Sequence, residues 1–208
     1  MKKKILALTL CLALVFTLGA CGGGTNGGSA DSSGSNTVVV AMGSGFTSLD
    51  PGYVYEKNPP VVLNACYENL FKFYSNDGEA EPCLADTYEF SADGMTLTVK
   101  LKDNIKFASG NDITSADVLF SINRTKKGNP SFICDTIESM EAPDDKTVIF
   151  HLTQPDSGIL SKLTYCSLAI LDSKVVKENG GTDAEDASTA DKAQAYLDTT
   201  SAGSGMYV

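Results

Sequence analysis

Chemistry in this chain would have to come from His151, from the cysteines or from short glycine loops, and each falls short of a catalytic constellation. His151 is the only histidine in 208 residues. It lies in Thr147-Val148-Ile149-Phe150-His151-Leu152, whose alternation puts it on one strand face with Thr147 and Ile149, opposite Val148, Phe150 and Leu152. With no nucleophile or second titratable group at a fixed spacing, it reads as a strand side chain and not as a base. Of six cysteines, Cys66, Cys83, Cys134 and Cys166 are widely spaced with no Cys-x-x-Cys pair, whereas zinc needs close ligand pairs. Disulfides and buried free thiols both stay open for these four. Gly43-Ser44-Gly45-Phe46 and Gly203-Ser204-Gly205 lack phosphate-loop spacing, yet either can bring backbone N–H groups close to a ligand. Gly-x-Ser-x-Gly and His-Glu-x-x-His do not occur. Asp144, Asp145 and the acidic stretch 183–186 read as solvated carboxylates. The sequence therefore leads us to expect no catalytic residue, no metal and no cofactor, and it favours a binder over an enzyme.

The elements that must position any binding residues are short and mixed. Thr37 to Met42 is a β-branched run that reads as a buried strand. Pro59 and Pro60 open a helix of about three turns, with Val62, Cys66 and Leu70 on one face. Asp93-Gly94 supplies a hairpin turn, after which Met95, Leu97, Val99 and Leu101 alternate with Thr96, Thr98 and Lys100. Thr114 is a good N-cap for a helix with Asp117 in its first turn; Arg124, Lys126 and Lys127 gather at the other end, and Gly128 ends it. Residues 146–152 form another strand, 157–163 a short helix and 166–171 a buried strand. Asp172 or Ser173 caps a helix that stops at Gly180, and residues 182–200 give a polar loop and a modest helix. Hairpins interleaved with short helices indicate an α+β arrangement.

The two ends carry different signals. Three lysines followed by an uncharged run from Ile5 to Leu18 make the n- and h-regions of an export signal over residues 1–20, too short to span a bilayer. Leu18-Gly19-Ala20-Cys21 resembles the bacterial lipobox, in which the cysteine thiol is diacylated and becomes the new N-terminus, giving a stable membrane anchor. Residues 21–36 then hold the lipidated Cys21 and a Gly/Ser leash with too little apolar surface to fold. The net charge is −10. Losing Lys2, Lys3 and Lys4 with the signal brings it to −13, which excludes nucleic acid as a partner. The ending, Ser-Ala-Gly-Ser-Gly-Met-Tyr-Val, reads as a glycine turn leading into the start of a strand.

The block Leu84 to Arg124 carries a more specific signal. It contains a Leu-Ala lead, a Ser-x-Asp-Gly-x-Thr hairpin, Phe107, Gly110 and a Thr-x-Ala-Asp-Val helix start at Thr114 to Val118. With the lipobox, Leu49-Asp50-Pro51, Tyr67-Glu68-Asn69-Leu70, and the run from Ile137 to Pro155, it resembles the extracellular solute-binding proteins of ABC importers, family 5, over residues 37–208. The resemblance implies the N-terminal part of a two-lobed, periplasmic-binding-protein-like fold (class II, cluster C). Because family members are far longer, it also implies a truncated chain that stops before the second lobe. It further implies capture of a small solute, most simply a short peptide bound by main-chain hydrogen bonds, and delivery to permease subunits by a protein anchored outside the cell membrane or in a periplasm. Nickel- and haem-binding members share the same signature. A surface receptor or adhesion module on the same lobe is the alternative, and a lipid-anchored hydrolase with its catalytic residues beyond residue 208 is a third reading. The family's ligand-facing first loop falls at Ser44, Gly45 and Phe46, with Tyr53 and Tyr55 as further walls; for these, a packed loop with Phe46 in the core is the competing reading. The helix from Thr114 to Arg124 is expected to be scaffold. Two positions depart from the family pattern: Ser109 stands where an acidic residue is usual, and Met206 where proline is.

Overall fold

The structure, a computed structural model, describes residues 39, 41, 45–54, 59–75, 78–128 and 132–207. Cys21, the segments 1–20 and 21–36, Ser44 and Tyr55 lie outside them. So does most of the expected strand at 37–42; its two described residues, Val39 and Ala41, are exposed and outside any strand. All elements below belong to the unit 42–208.

Four antiparallel strands form the main sheet in the order β3-β4-β6-β5: β3 Ala85–Phe90, β4 Thr96–Leu101, β5 Ile137–Asp144 and β6 Thr147–Leu152. Alternation decides its two faces, as expected from a period of two. Leu97, Val99, Val148, Phe150 and Leu152 are buried, while Thr96 pairs with His151 and Lys100 with Thr147 on the outer face. Asp93 fixes the hairpin, since its Oδ1 accepts from the Ser91 hydroxyl (2.6 Å) and the Met95 N–H (3.0 Å), and Gly94 takes a φ of 70°. His151 places Nε2 3.2 Å from Glu141 Oε1 on that exposed face.

Helix α2, Ser115–Gly128, lies against β5 and β6. Asp117 secures its start: Oδ2 accepts from the N–H and the hydroxyl of Thr114 (2.9 and 2.7 Å), while the Asp117 N–H donates to the Thr114 carbonyl. Val118 and Ile122 enter the sheet core, while Phe120, on another side of the helix, enters a second cluster with Leu63, Tyr67, Leu171, Val176 and Leu197. That second cluster draws on short pieces, α1 Pro59–Cys66, α4 Ser173–Glu178 and α6 Gln194–Leu197, whereas α3 Ile159–Lys162 and the two-stranded ribbon of β1 Phe71–Lys72 and β2 Glu81–Pro82 send Ile159 and Phe71 into the sheet core; α5 spans Ala187–Ala190.

Three local expectations change. Helix α1 is eight residues long, shorter than three turns, and it buries Leu63, with Tyr67 just past its end, where Val62 and Cys66 had been expected. The cause is its C-terminus: the Cys66 carbonyl accepts from the Gly205 N–H (3.0 Å) and lies 3.4 Å from the Ser201 hydroxyl, and the Ala65 carbonyl accepts from Tyr207 N–H. The turn 203–205 is therefore closed onto a helix end, and its glycines serve close packing instead of holding N–H groups out to a ligand. A Cβ at Gly203 would lie 2.2 Å from the Cys66 oxygen, and one at Gly205 2.4 Å from the Ala65 oxygen. Finally, residues 166–171 are buried as expected but form a 3-10 turn, Cys166–Leu168, followed by extended chain outside any ladder. Cys66, Cys83, Cys134 and Cys166 are all free thiols, and burial pushes Cys134 up to about 11, which leaves it inert at neutral pH.

Candidate functional site

Asp50 organises the loop that the sequence singled out. It caps the 3-10 turn Pro51–Tyr53, its Oδ1 accepting from the Gly52 N–H (3.0 Å), and proline at the turn's first position needs no donor partner. Both carboxylate oxygens also accept from Arg124, Nη1 to Oδ1 at 2.8 Å and Nη2 to Oδ2 at 2.6 Å. On its other edge the same guanidinium donates to Asp191, Nε to Oδ2 at 2.7 Å and Nη2 to Oδ1 at 2.9 Å. Asp191 accepts further bonds from the N–H groups of Thr182 and Ala193. The side chains of Asp50, Arg124 and Asp191 are each no more than 1% exposed.

Such a triad is costly to bury and holds because four N–H···O bonds join the guanidinium to the two carboxylates, each of which also accepts from backbone N–H groups. Glycine makes the approach possible, since a Cβ on Gly52 would stand 3.0 Å from Arg124 Nη1. Burial works against the guanidinium's charge, but the two carboxylates outweigh it and hold its pKa above the ordinary value. For Asp191, burial pushes upward, and Arg124 with the two N–H donors more than offsets it, holding the carboxyl below the usual range. A depressed folded pKa means this contribution is complete above the unfolded carboxyl value and fades as pH drops through the folded one.

A second anchor continues the relay. Ser48 Oγ accepts from the Asp50 N–H (3.0 Å) and donates to Asp198 Oδ1 (2.6 Å), which also accepts from the Leu49 N–H (2.7 Å). Hydrogen bonds thus run from Asp198 through Ser48, Asp50 and Arg124 to Asp191, fixing residues 48–53 from beneath.

The expected site residues sit differently around this anchor. Gly45 is exposed, and nothing lies within 4 Å of where its Cβ would be. Phe46 is 36% exposed and stands outside the core. Tyr53 is half-buried, with its ring centroid 5.4 Å from the Arg124 guanidinium carbon and its hydroxyl against Gly128, so it braces the triad. Sequence reasoning passed over Asp50, Asp191 and Asp198 as site-forming groups and left Arg124 among the basic residues at a helix end. One signal was available: Arg124 is the only arginine in the chain, and arginine, not lysine, suits buried bidentate pairing.

Two grooves open beside the anchor. The first has a volume of about 180 Å³; Leu49, Val62, Leu63, Cys66, Tyr67 and Leu197 make it apolar, with Asp198 and residues 199–201 on its polar side. The second, about 290 Å³, lies between Phe107, Ser109, Asp172 and Tyr196. There Asp172 Oδ2 accepts from Ser109 Oγ (2.6 Å) and Asn111 Nδ2 (2.8 Å), while Oδ1 caps α4 at the Val175 N–H. Asp172 is 1% exposed, which accounts for the serine: an acid at 109 would face a buried carboxylate instead of donating to it. Ser109→Asp is therefore expected to lower stability by about 2–3 kcal/mol at pH 7, because a donor is lost and a second carboxylate is set against the first. Urea melts beside Ser109→Ala, which loses the donor alone, check this; an equal deficit in both variants removes the charge explanation. Among the described residues, no group of three metal-ligating side chains occurs and no helix is long and apolar enough to cross a membrane.

Comparison with known proteins agrees with this architecture. Residues 79–208 match the family described as "Bacterial extracellular solute-binding proteins, family 5 Middle". The glutathione-binding protein GsiB of Pectobacterium atrosepticum is 33% identical over 150 residues, 69% of this chain and 28% of that protein. The Helicobacter pylori protein DppA, solved in complex with the peptide STSA, superposes with a TM-score of 0.56 at 27% identity, over 64% of this chain and 30% of that one. Listeria monocytogenes OppA, bound to peptide, superposes at 0.61 and shares the fold at 24% identity, over 65% and 30%. The chain spans less than a third of the length of these relatives. The mixed sheet and helices are those of two-lobed binding proteins, and with more than half its residues inside the family's match, the chain belongs to the bacterial extracellular solute-binding proteins of family 5.

Proposed function

We propose that this chain forms one wall of the substrate-binding component of an ABC importer, anchored through Cys21 outside the cell membrane, that captures short peptides and passes them to permease subunits. The observation that carries the reading is the contrast within one loop: Gly45 and Phe46 are open to solvent, while the residues that follow are pinned by Asp198 and Arg124. Main-chain groups on a fixed support are what an extended peptide needs for strand-like bonding, and an absent Cβ at Gly45 lets another backbone approach. Ser44, Gly45 and Phe46 are the proposed contacts, with Tyr53 acting from behind and Tyr55 as a further wall. Pre-organisation of this kind lowers the ordering cost of binding.

Glutathione is a second reading, favoured by the similarity to GsiB. Titrating isotope-labelled chain with di- and tripeptides, and with glutathione, separates the two. The expected result is amide shifts at Gly45 and Phe46 with dissociation constants weaker than micromolar, because a single wall leaves most of the ligand wet. Micromolar affinity would contradict the single-wall reading, and a response to glutathione alone would select the second ligand. Partitioning of the expressed protein into a detergent phase, lost in Cys21→Ser, tests the anchor.

A further inference from the structure

We infer that the groove between Leu49, the end of α1 and the end of α6 is a side-chain pocket for a cationic residue of the ligand, a lysine- or arginine-like group with an apolar stem. The inference rests on the reading of Gly45 and Phe46 as ligand contacts and adds a preference that reading does not contain. Its volume of about 180 Å³ lies below the ~300–1,000 Å³ of pockets that enclose a whole ligand, so it suits one side chain. Leu49, which lines it, is three residues from Phe46, a reach of at most about 10 Å along extended chain.

Its chemistry is two-sided. The floor is aliphatic and aromatic, from Leu49, Val62, Leu63 and Leu197 with Tyr67. On the wall stands Asp198, whose Oδ1 is fully engaged by Ser48 and Leu49, whereas Oδ2 accepts no hydrogen bond among the described residues. Behind it, Asp50 and Asp191 share the single guanidinium of Arg124, so the three carboxylates outnumber their one buried cation. The groove also sits at the C-terminal end of α1, where the helix dipole favours positive charge. A stem of methylenes can lie along the floor while its charged head reaches Oδ2, the usual compromise of long basic side chains. An anionic or purely apolar side chain would leave Oδ2 either repelled or unanswered.

The test uses tripeptides Ala-X-Ala, acetylated and amidated so that X is the only charge, with X as lysine, norleucine or glutamate. In spectra of the labelled chain, the lysine peptide is expected to shift the amides of Leu49, Tyr67 and residues 199–201, at half-saturating concentrations about fivefold below those of the other two. Asp198→Asn keeps the Oδ1 acceptor and should erase that preference while the shifts at Gly45 and Phe46 persist. Val62→Trp, which fills the groove from a half-buried position on its lining, should abolish the groove shifts and decides the matter should the asparagine variant fail to fold. Equal responses to lysine and norleucine, or an unchanged preference in Asp198→Asn, overturn the pocket. Shifts confined to Gly45 and Phe46 overturn the pocket and leave the loop reading intact, whereas no shifts anywhere remove both.

Discussion

Arg124→Met is expected to lower the free energy of unfolding by about 3–5 kcal/mol, the usual consequence of removing one partner from a buried, hydrogen-bonded ion cluster. Methionine fills much of the same space, so the loss reports charge more than volume. Asp50 and Asp191 would be left facing each other without a cation, and Asp50 would lose two of the donors that hold the 3-10 turn. Since domains of this size are stable by only about 5–15 kcal/mol, urea melts of the variant should begin near zero denaturant. Arg124→Lys keeps one charge but not the fork, and should fall between the two. Acidification should affect the two proteins differently. The wild type loses stability as pH falls through the depressed value of Asp191. In Arg124→Met the cation that depresses Asp191 is gone, so that loss shrinks and the gap narrows as pH falls. A loss below about 1 kcal/mol, or a gap that is constant with pH, would show that the triad contributes no more than a surface pair does.

Gly203→Ala is expected to cost about 1–3 kcal/mol or more through overpacking. A methyl there meets the Cys66 oxygen at 2.2 Å and the Tyr67 ring at 2.6 Å, and neither is a flexible side-chain end that can move aside. The turn must lift from α1, so amide exchange at Gly205 and Tyr207 should accelerate far more than at Val148 in the sheet. Gly45→Ala is the matched control: open space surrounds its Cβ, and its effect should stay within about 0.5 kcal/mol. Equal effects at the two glycines would refute the close-approach argument.

Local rules made parts of this fold readable. The hairpin at Asp93-Gly94, the alternation of β4 and β6, and the placing of Asp117 in the first turn of α2 all follow from side chains near each other in sequence, and each is present. The second core was harder because its pieces are four to eight residues long, too short for periodicity to separate a helix turn from extended chain. Residues 166–171 show this: their apolar run is equally consistent with a strand and with the buried irregular segment found. The anchor under the loop was hidden for a different reason. Asp191 sits in a polar stretch that looks solvated, and only tertiary pairing with Arg124 buries it. Likewise, Ser109 read as a departure from a family pattern until Asp172 gave it an acceptor.

The relay under the loop has a kinetic corollary. Its bonds join residues 74, 67 and 150 positions apart, so each closes a long loop whose entropy must be met before the contact forms. In a chain emerging N-terminus first, Asp50 has no latch until Arg124 is out, and Ser48 has none until Asp198 follows. A segment made early is thus tied down late, and it stays free to rearrange while the residues between it and its partners are made.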